Sequence, residues 1–241
     1  MPHNRYFIDS PFAENTQVRL SGDECHHLLR VSRIRINEPV ELVNGQGQLA
    51  QATLTEIGKN TAELSIDSVF QDPRQKIPLI LALGIPRMNH LEWIIEKGTE
   101  LNVTAFWLFP GILSEKESLS PNQQERLTHL AISAMKQCGR LDLPSIELKP
   151  PLLQWGQLPG TLLFGDTDEN ASYLWKNTSL NPLTPPVTLF TGPEKGFDSQ
   201  ERMFLLHTLK AHGVRLHPNI LRAETAPLVG LSLIQTMLPS N

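Results

Sequence analysis

Leu189-Phe190-Thr191-Gly192-Pro193-Glu194-Lys195-Gly196-Phe197-Asp198 is a short apolar strand that empties into a glycine- and proline-bearing loop and then meets an aspartate fit to start a helix. Open α/β sheets bind ligands at the carboxyl ends of their strands, and glycine lets backbone approach a ligand closely. The loop has neither P-loop nor dinucleotide-fingerprint spacing. Two readings stand here: a cofactor loop, or a plain strand-to-helix turn.

Working outward, the same alternation continues on both sides. Thr161–Gly165 and Val187–Thr191 are short apolar strands, Ile77–Gly84 is a strand that a parallel sheet covers on both faces, and Thr104–Phe109 is another. Asn89 followed by Glu92 matches an N-cap signature, with Leu91, Ile94, Ile95 and Leu101 at helical spacing behind it. Ser120-Pro121 predicts a helix through about Gly139 with the stripe Leu127, Leu130, Ala131 and Ala134. Asp198 opens a helix to about His212, and a last helix spans Glu224 to Leu238. This order predicts an α/β domain with a mostly parallel sheet.

Before Ile77 the pattern is different. From Thr16 to Phe70, β-like runs (Val40–Val43, Leu49–Ile57, Ala62–Val69) alternate with polar turns, and Asn44-Gly45 is a hairpin signal because both residues tolerate positive φ. The polar stretch Gln71–Lys76 separates the two patterns, so we divide the chain into residues 1–72, a small β-rich domain, and residues 73–241.

Composition narrows the class. The 241 residues are 40% hydrophobic and 19% charged, as expected of a folded protein. Met1–Ser10 carries Arg5 and Asp9 and no apolar core of signal-peptide length, and no apolar run approaches the about 18 residues of a membrane span, so we expect a cytoplasmic protein. Cys25 and Cys138 have no metal or redox spacing, and the histidines form no ligand motif, so no metal is expected. A net charge of -4 rules out nucleic-acid binding by bulk attraction and requires a local patch. His26-His27-Leu28-Leu29-Arg30-Val31-Ser32-Arg33-Ile34-Arg35 supplies one, and we select His27, Arg30, Arg33 and Arg35 as RNA contacts.

Two further segments carry charge where chemistry needs it. Lys136-Gln137-Cys138-Gly139-Arg140 ends a helix, where cations either complement the helix dipole or grip phosphate. Leu221-Arg222-Ala223-Glu224-Thr225-Ala226 precedes the last helix; a helix start accounts for Glu224 and Thr225 but not for Arg222.

Taken in this order, the segments resemble the bacterial ribosomal RNA small-subunit methyltransferase E family, uridine-N3 methyltransferases of 16S rRNA. His27–Arg33 resembles its N-terminal His-Leu…Val-Leu-Arg segment, Glu96-Lys97-Gly98-Thr99-Glu100-Leu101 its Lys-Ala-Thr-Glu-Leu-Gly helix, and Lys136–Arg140 with Pro144 its Glu-Gln-Ser-x-Arg…Pro element. Gly192–Phe197 and Leu221–Ala226 resemble its Gly-Pro-Glu-Gly-Gly-Phe and Leu-Arg-x-Glu-Thr-Ala motifs.

The resemblance implies a PUA-like N-terminal β-barrel domain and a C-terminal SPOUT domain tied in a deep trefoil knot. It also implies S-adenosylmethionine as cofactor, a homodimer, and 16S rRNA or the small ribosomal subunit as substrate. Carried over by motif, Phe164, Gly165, Gly192, Pro193, Glu194, Gly196, Leu221, Arg222, Glu224, Thr225 and Ala226 line the cofactor. Arg222 and Arg140 are the candidates to stabilise charge on the uracil oxygens, and Glu224 to take its proton. Lys195 and His217 replace glycines of the family pattern, which strains the chain if the loops need positive φ there. The rival readings are a SPOUT enzyme with another target, such as tRNA ribose 2′-oxygen, a non-catalytic ribosome assembly factor, and a phosphate-binding metabolic enzyme.

Overall fold

A computed structural model describes residues 4–73, 77–177, 180 and 182–238. Arg74, Gln75 and Lys76, in the stretch expected to join the domains, lie outside the described residues. Two compact units result: Met1–Arg74 with Ile132–Leu143, and Gln75–Ala131 with Pro144–Asn241.

The first unit is built on five strands, β1 (Arg5–Phe7), β2 (Gln17–Ser21), β3 (Pro39–Val43), β4 (Gln48–Ile57) and β5 (Thr61–Gln71), in the order β1-β3-β4-β5-β2. Only the β1–β3 pair is parallel, and the sheet forms a half-barrel. Alternating residues (Leu42, Ala50, Ala52, Leu54, Leu64, Ile66) enter one core with Tyr6, Leu20 and Leu28, as period-two patterning requires. The β3–β4 hairpin forms, but not by the expected pair of positive φ angles. Those fall on Gly45 (φ 71) and Gly47 (φ 88), while Asn44 shapes the turn through its side chain, accepting hydrogen bonds from Gln46 and Gln48 N–H at 2.8 and 3.2 Å. A short helix, α1 (Gly22–His26), passes into a wider π turn over His27–Val31.

The second unit holds an all-parallel sheet of β6 (Leu79–Gly84), β7 (Ala105–Phe109), β8 (Ser145–Leu148), β9 (Thr161–Gly165), β10 (Val187–Thr191) and β11 (His212–Val214), ordered β11-β9-β10-β6-β7-β8. The central strands β6 and β10 are buried along their whole length, which is why they lack polar alternation. The same unit holds α2 (Met88–Glu100), α4 (Ser199–Met203) and α5 (Thr225–Met237), while α3 (Pro121–Cys138) starts in it and gives its residues from Ile132 onward to the first unit. α3 begins as predicted: Ser120 Oγ accepts from Gln123 N–H and Gln123 Oε1 accepts from Ser120 N–H, at 3.3 and 3.0 Å. The predicted cap of α2 is corrected. Its N-cap is Arg87, and Glu92 instead pairs with Arg126 at 2.7 Å. The helix after Asp198 is shorter than expected, because a π turn over Phe204–Thr208 ends it and β11 begins at His212.

Candidate cofactor cavity and its relatives

The carboxyl ends of β9, β10 and β11 lie side by side, and the loops leaving them enclose a cavity of about 370 Å³. The β9 end contributes Phe164, Gly165, Asp166 and Thr167; the β10 end Thr191 through Phe197; the stretch after β11 contributes Arg215 through Leu221, with Ala223 and Ala226. This is where a parallel sheet places ligands.

The β10 loop folds tightly because its glycines permit it. A side chain on Gly192 would stand 2.7 Å from the Gly196 carbonyl carbon, so the loop can close on itself only without one. Gly196 has φ 76, while Lys195 and His217 both keep negative φ, so the two replacements of family glycines introduce no backbone strain. Asp198 then caps α4, accepting from Gln200 N–H at 2.8 Å, and Glu201 accepts in return from Asp198 N–H at 3.0 Å. The buried Glu201 also accepts from Ile112 N–H at 3.1 Å, fastening the loop after β7 to the same helix start.

Charges on the wall are mostly paired. Arg202 donates to both oxygens of the nearly buried Asp166, at 3.2 and 2.9 Å, and to Asp168 at 2.9 Å. Burial works against the charge on Glu194. The backbone N–H groups of Arg87 and of Glu194 itself, together with His90, outweigh it and hold the carboxyl below its ordinary range. Arg87 N–H donates to Glu194 Oε1 at 2.8 Å, and His90 Nδ1 lies 2.9 Å from the same oxygen. Thr191, the last residue of β10, has its Oγ1 buried and without a hydrogen-bond partner among the described residues. A buried hydroxyl left without a partner costs free energy.

Phe164, Gly165, Gly192, Pro193, Glu194, Gly196, Leu221 and Ala226 all line the cavity; Arg222, Glu224 and Thr225 do not. Arg222 is exposed, and its carbonyl accepts from Thr225 and Ala226 N–H at the start of α5. Glu224 is the N-cap of that helix, with its carboxylate 3.7 Å from His90. Arg140 belongs to the first unit, almost buried and bonded to Asp142 at 2.5 Å. His27, Arg30, Arg33 and Arg35 are all exposed, and none of the three arginines has an ion pair among the described residues. Sequence reasoning missed Thr191 as a site residue, Asp166, Arg202, Arg215 and His90. Only Asp166 and Asp168 left a signal, two carboxylates directly after an apolar strand.

Residues 73–235 match the family described as RNA methyltransferase domain, and residues 20–67 the one described as RNA methyltransferase PUA domain. The ribosomal RNA small subunit methyltransferase E of Rickettsia conorii is 30% identical over 98% of this chain and 97% of its own length. The chain belongs to the ribosomal RNA small subunit methyltransferase E family. The Synechocystis member is 32% identical, over 92% of this chain and 74% of that one. The Neisseria gonorrhoeae member, solved bound to S-adenosyl methionine, superposes with a TM-score of 0.86 at 26% identity, covering 99% of this chain and 98% of that one. The expected fold class, a PUA-like domain with an α/β SPOUT domain, is that of the family. Among the described residues no group of three His, Cys, Asp or Glu is placed to hold a metal ion, and no helix is long and apolar enough to cross a membrane.

Proposed function

We propose that this protein methylates N3 of a uridine in 16S rRNA, using S-adenosylmethionine held in the cavity at the ends of β9, β10 and β11. The observation that carries the cofactor assignment is the wall itself: glycine-rich backbone, the open side of Gly196 with nothing within 4 Å of where a side chain would project, and, buried at Thr191, a hydroxyl without a partner among the described residues. These features fit a compact ligand with both apolar and hydrogen-bonding groups. When bound, the cofactor supplies an electrophilic methyl group on a sulfonium.

The chain's own residues then have separable parts. Gly192, Pro193 and Gly196 give the backbone contour, Thr191 a hydrogen-bonding hydroxyl, and Phe164, Leu221 and Ala226 the apolar wall. Glu194, held below its ordinary range, stays ionised and is a weak acceptor for a proton from N3, so it serves as a fixed charge. Arg222, exposed at the start of α5, is the group we assign to the uracil oxygens, where a guanidinium stabilises the charge that develops as N3 loses its proton. Glu224, whose carboxylate lies 3.7 Å from His90, is the group we assign to take that proton. Arg140, already bonded to Asp142, is assigned to shaping the turn after α3. His27, Arg30, Arg33 and Arg35 form the RNA patch. A cytoplasmic homodimer with a trefoil-knotted C-terminal domain completes the reading; family membership and the β11-β9-β10-β6 parallel order support it.

The test is calorimetric titration with S-adenosylmethionine, followed by nucleoside mass spectrometry of 16S rRNA from treated small subunits. Micromolar binding and N3-methyluridine are expected. A 2′-O-methylated nucleoside would move the chain to another target chemistry, and no cofactor binding would return it to the non-catalytic reading.

A further inference from the structure

The segment between β9 and β10 brings Tyr173, Trp175 and Lys176 together on the surface with Arg215, the first residue after β11. The Tyr173 and Trp175 rings lie 4.6 Å apart at 31°, Lys176 Nζ is 5.4 Å from the Tyr173 ring centre, and the Arg215 guanidinium carbon is 4.9 Å from it. Trp175 is 45% exposed. A single exposed tryptophan is unremarkable on its own. This one differs in how it is held. Leu174 N–H donates to the Arg215 carbonyl at 3.0 Å and Arg215 N–H to the Ser172 carbonyl at 2.9 Å, so the aromatic pair is clamped by backbone to the strand end whose next residues wall the cavity.

Arg215 itself lines the cavity. Unlike Arg202 it has no carboxylate partner among the described residues; its one side-chain hydrogen bond goes to the Pro218 carbonyl at 3.2 Å. Asp166 and Asp168, in the loop after β9, are engaged by Arg202. The surface therefore combines a wet aromatic face, two cations without an acidic partner among the described residues, and a fixed position at the cavity rim. Unpaired RNA bases stack on aromatic side chains, and their phosphates seek Lys and Arg. A protein partner would not need the cations to sit against the rings.

We infer that Tyr173, Trp175, Lys176 and Arg215 form a binding site for a nucleotide flanking the one to be methylated: its base stacks on Trp175 and its phosphate meets Lys176 or Arg215. This rests on the reading above that the chain acts on RNA. It fixes the direction in which the substrate strand leaves the cavity.

The experiment is fluorescence anisotropy of a labelled oligouridylate titrated with the full chain and its W175A, W175F and R215Q variants, with S-adenosylmethionine titrated in parallel by calorimetry. W175A should weaken oligouridylate binding by roughly tenfold, the effect of losing one base–aromatic stack. W175F should stay near wild type, R215Q should lower the salt slope by about one phosphate contact, and cofactor affinity should not change in W175A. Equal RNA affinity in W175A and wild type, no oligouridylate binding by wild type, or a parallel loss of cofactor affinity in W175A would each overturn the site. Failure of the methyltransferase reading shows separately, as wild-type protein that takes up no S-adenosylmethionine.

Discussion

In the N-terminal unit Arg30, Arg33 and Arg35 stand exposed without ion pairs among the described residues, whereas on the cavity wall Arg202 is held by two carboxylates and Glu194 by a backbone N–H and His90. The first region presents charge to solvent. The second neutralises most of its charge internally and offers contour: a folded-over loop, glycine backbone and one unsatisfied hydroxyl. Recognition by field is graded, screened by salt and tolerant of single losses. Recognition by contour is steric, and one added methyl group can end it.

The comparison breaks most readily at Gly192. Alanine there places its Cβ 2.7 Å from loop backbone that has nowhere to go, so G192A should lose S-adenosylmethionine binding in calorimetry and about 1–3 kcal/mol of stability in denaturant melts. D166A comes next: it leaves Arg202 with only the half-buried Asp168, and a cost of about 1–2 kcal/mol is expected because the lost hydrogen bonds are charge-assisted. T191V separates folding from binding. Its hydroxyl has no protein partner among the described residues, so thermal stability without ligand should hold or rise while cofactor affinity falls by about 0.5–1.5 kcal/mol. R30A and R33A should each weaken RNA binding only a few-fold and lower the salt slope by about one, with cofactor affinity untouched.

The smallest effect is a pH dependence. Glu194 is held below its ordinary 4.5, so its contribution to stability is complete above that value and is lost as pH falls through the depressed one. E194Q should lower the urea midpoint at neutral pH and flatten its fall below about pH 4.5, so that the variant and wild-type curves converge in acid.

Strand–loop–helix order was legible because the central strands are short apolar runs punctuated by Gly and Pro, and the β10 loop could be located to the residue. β1, β8 and β11 were missed: they have three or four residues each, too few to show a period. The cap of α2 was misplaced because Asn89 and Glu92 mimic a capping box, while the chain turns at Arg87, whose N–H is taken by Glu194 from 107 residues away. The same long reach explains the site. Apolar and glycine wall residues follow from their own loop, so motif alone finds them. Arg222 and Thr225 line no wall, since their segment is spent on starting α5. The Asp166–Arg202 pair and the clamp between Ser172 and Arg215 join segments that sequence spacing does not relate.

The strand order also sets a timetable for synthesis. β6 ends at Gly84, yet its neighbour β10 is not translated until Val187–Thr191, and β11, at the sheet's far edge, comes later still. Until then β6, apolar on both faces, has only β7 beside it. At about 5–20 residues per second, the interval lasts on the order of 5–20 s, during which a ribosome-bound chain carries its most adhesive strand half covered. The half-barrel β strands need no such wait, since β3 pairs with β4 and β4 with β5 as soon as each is made. The portion that we assign to RNA binding thus matures while the portion that completes the cofactor cavity is still unmade.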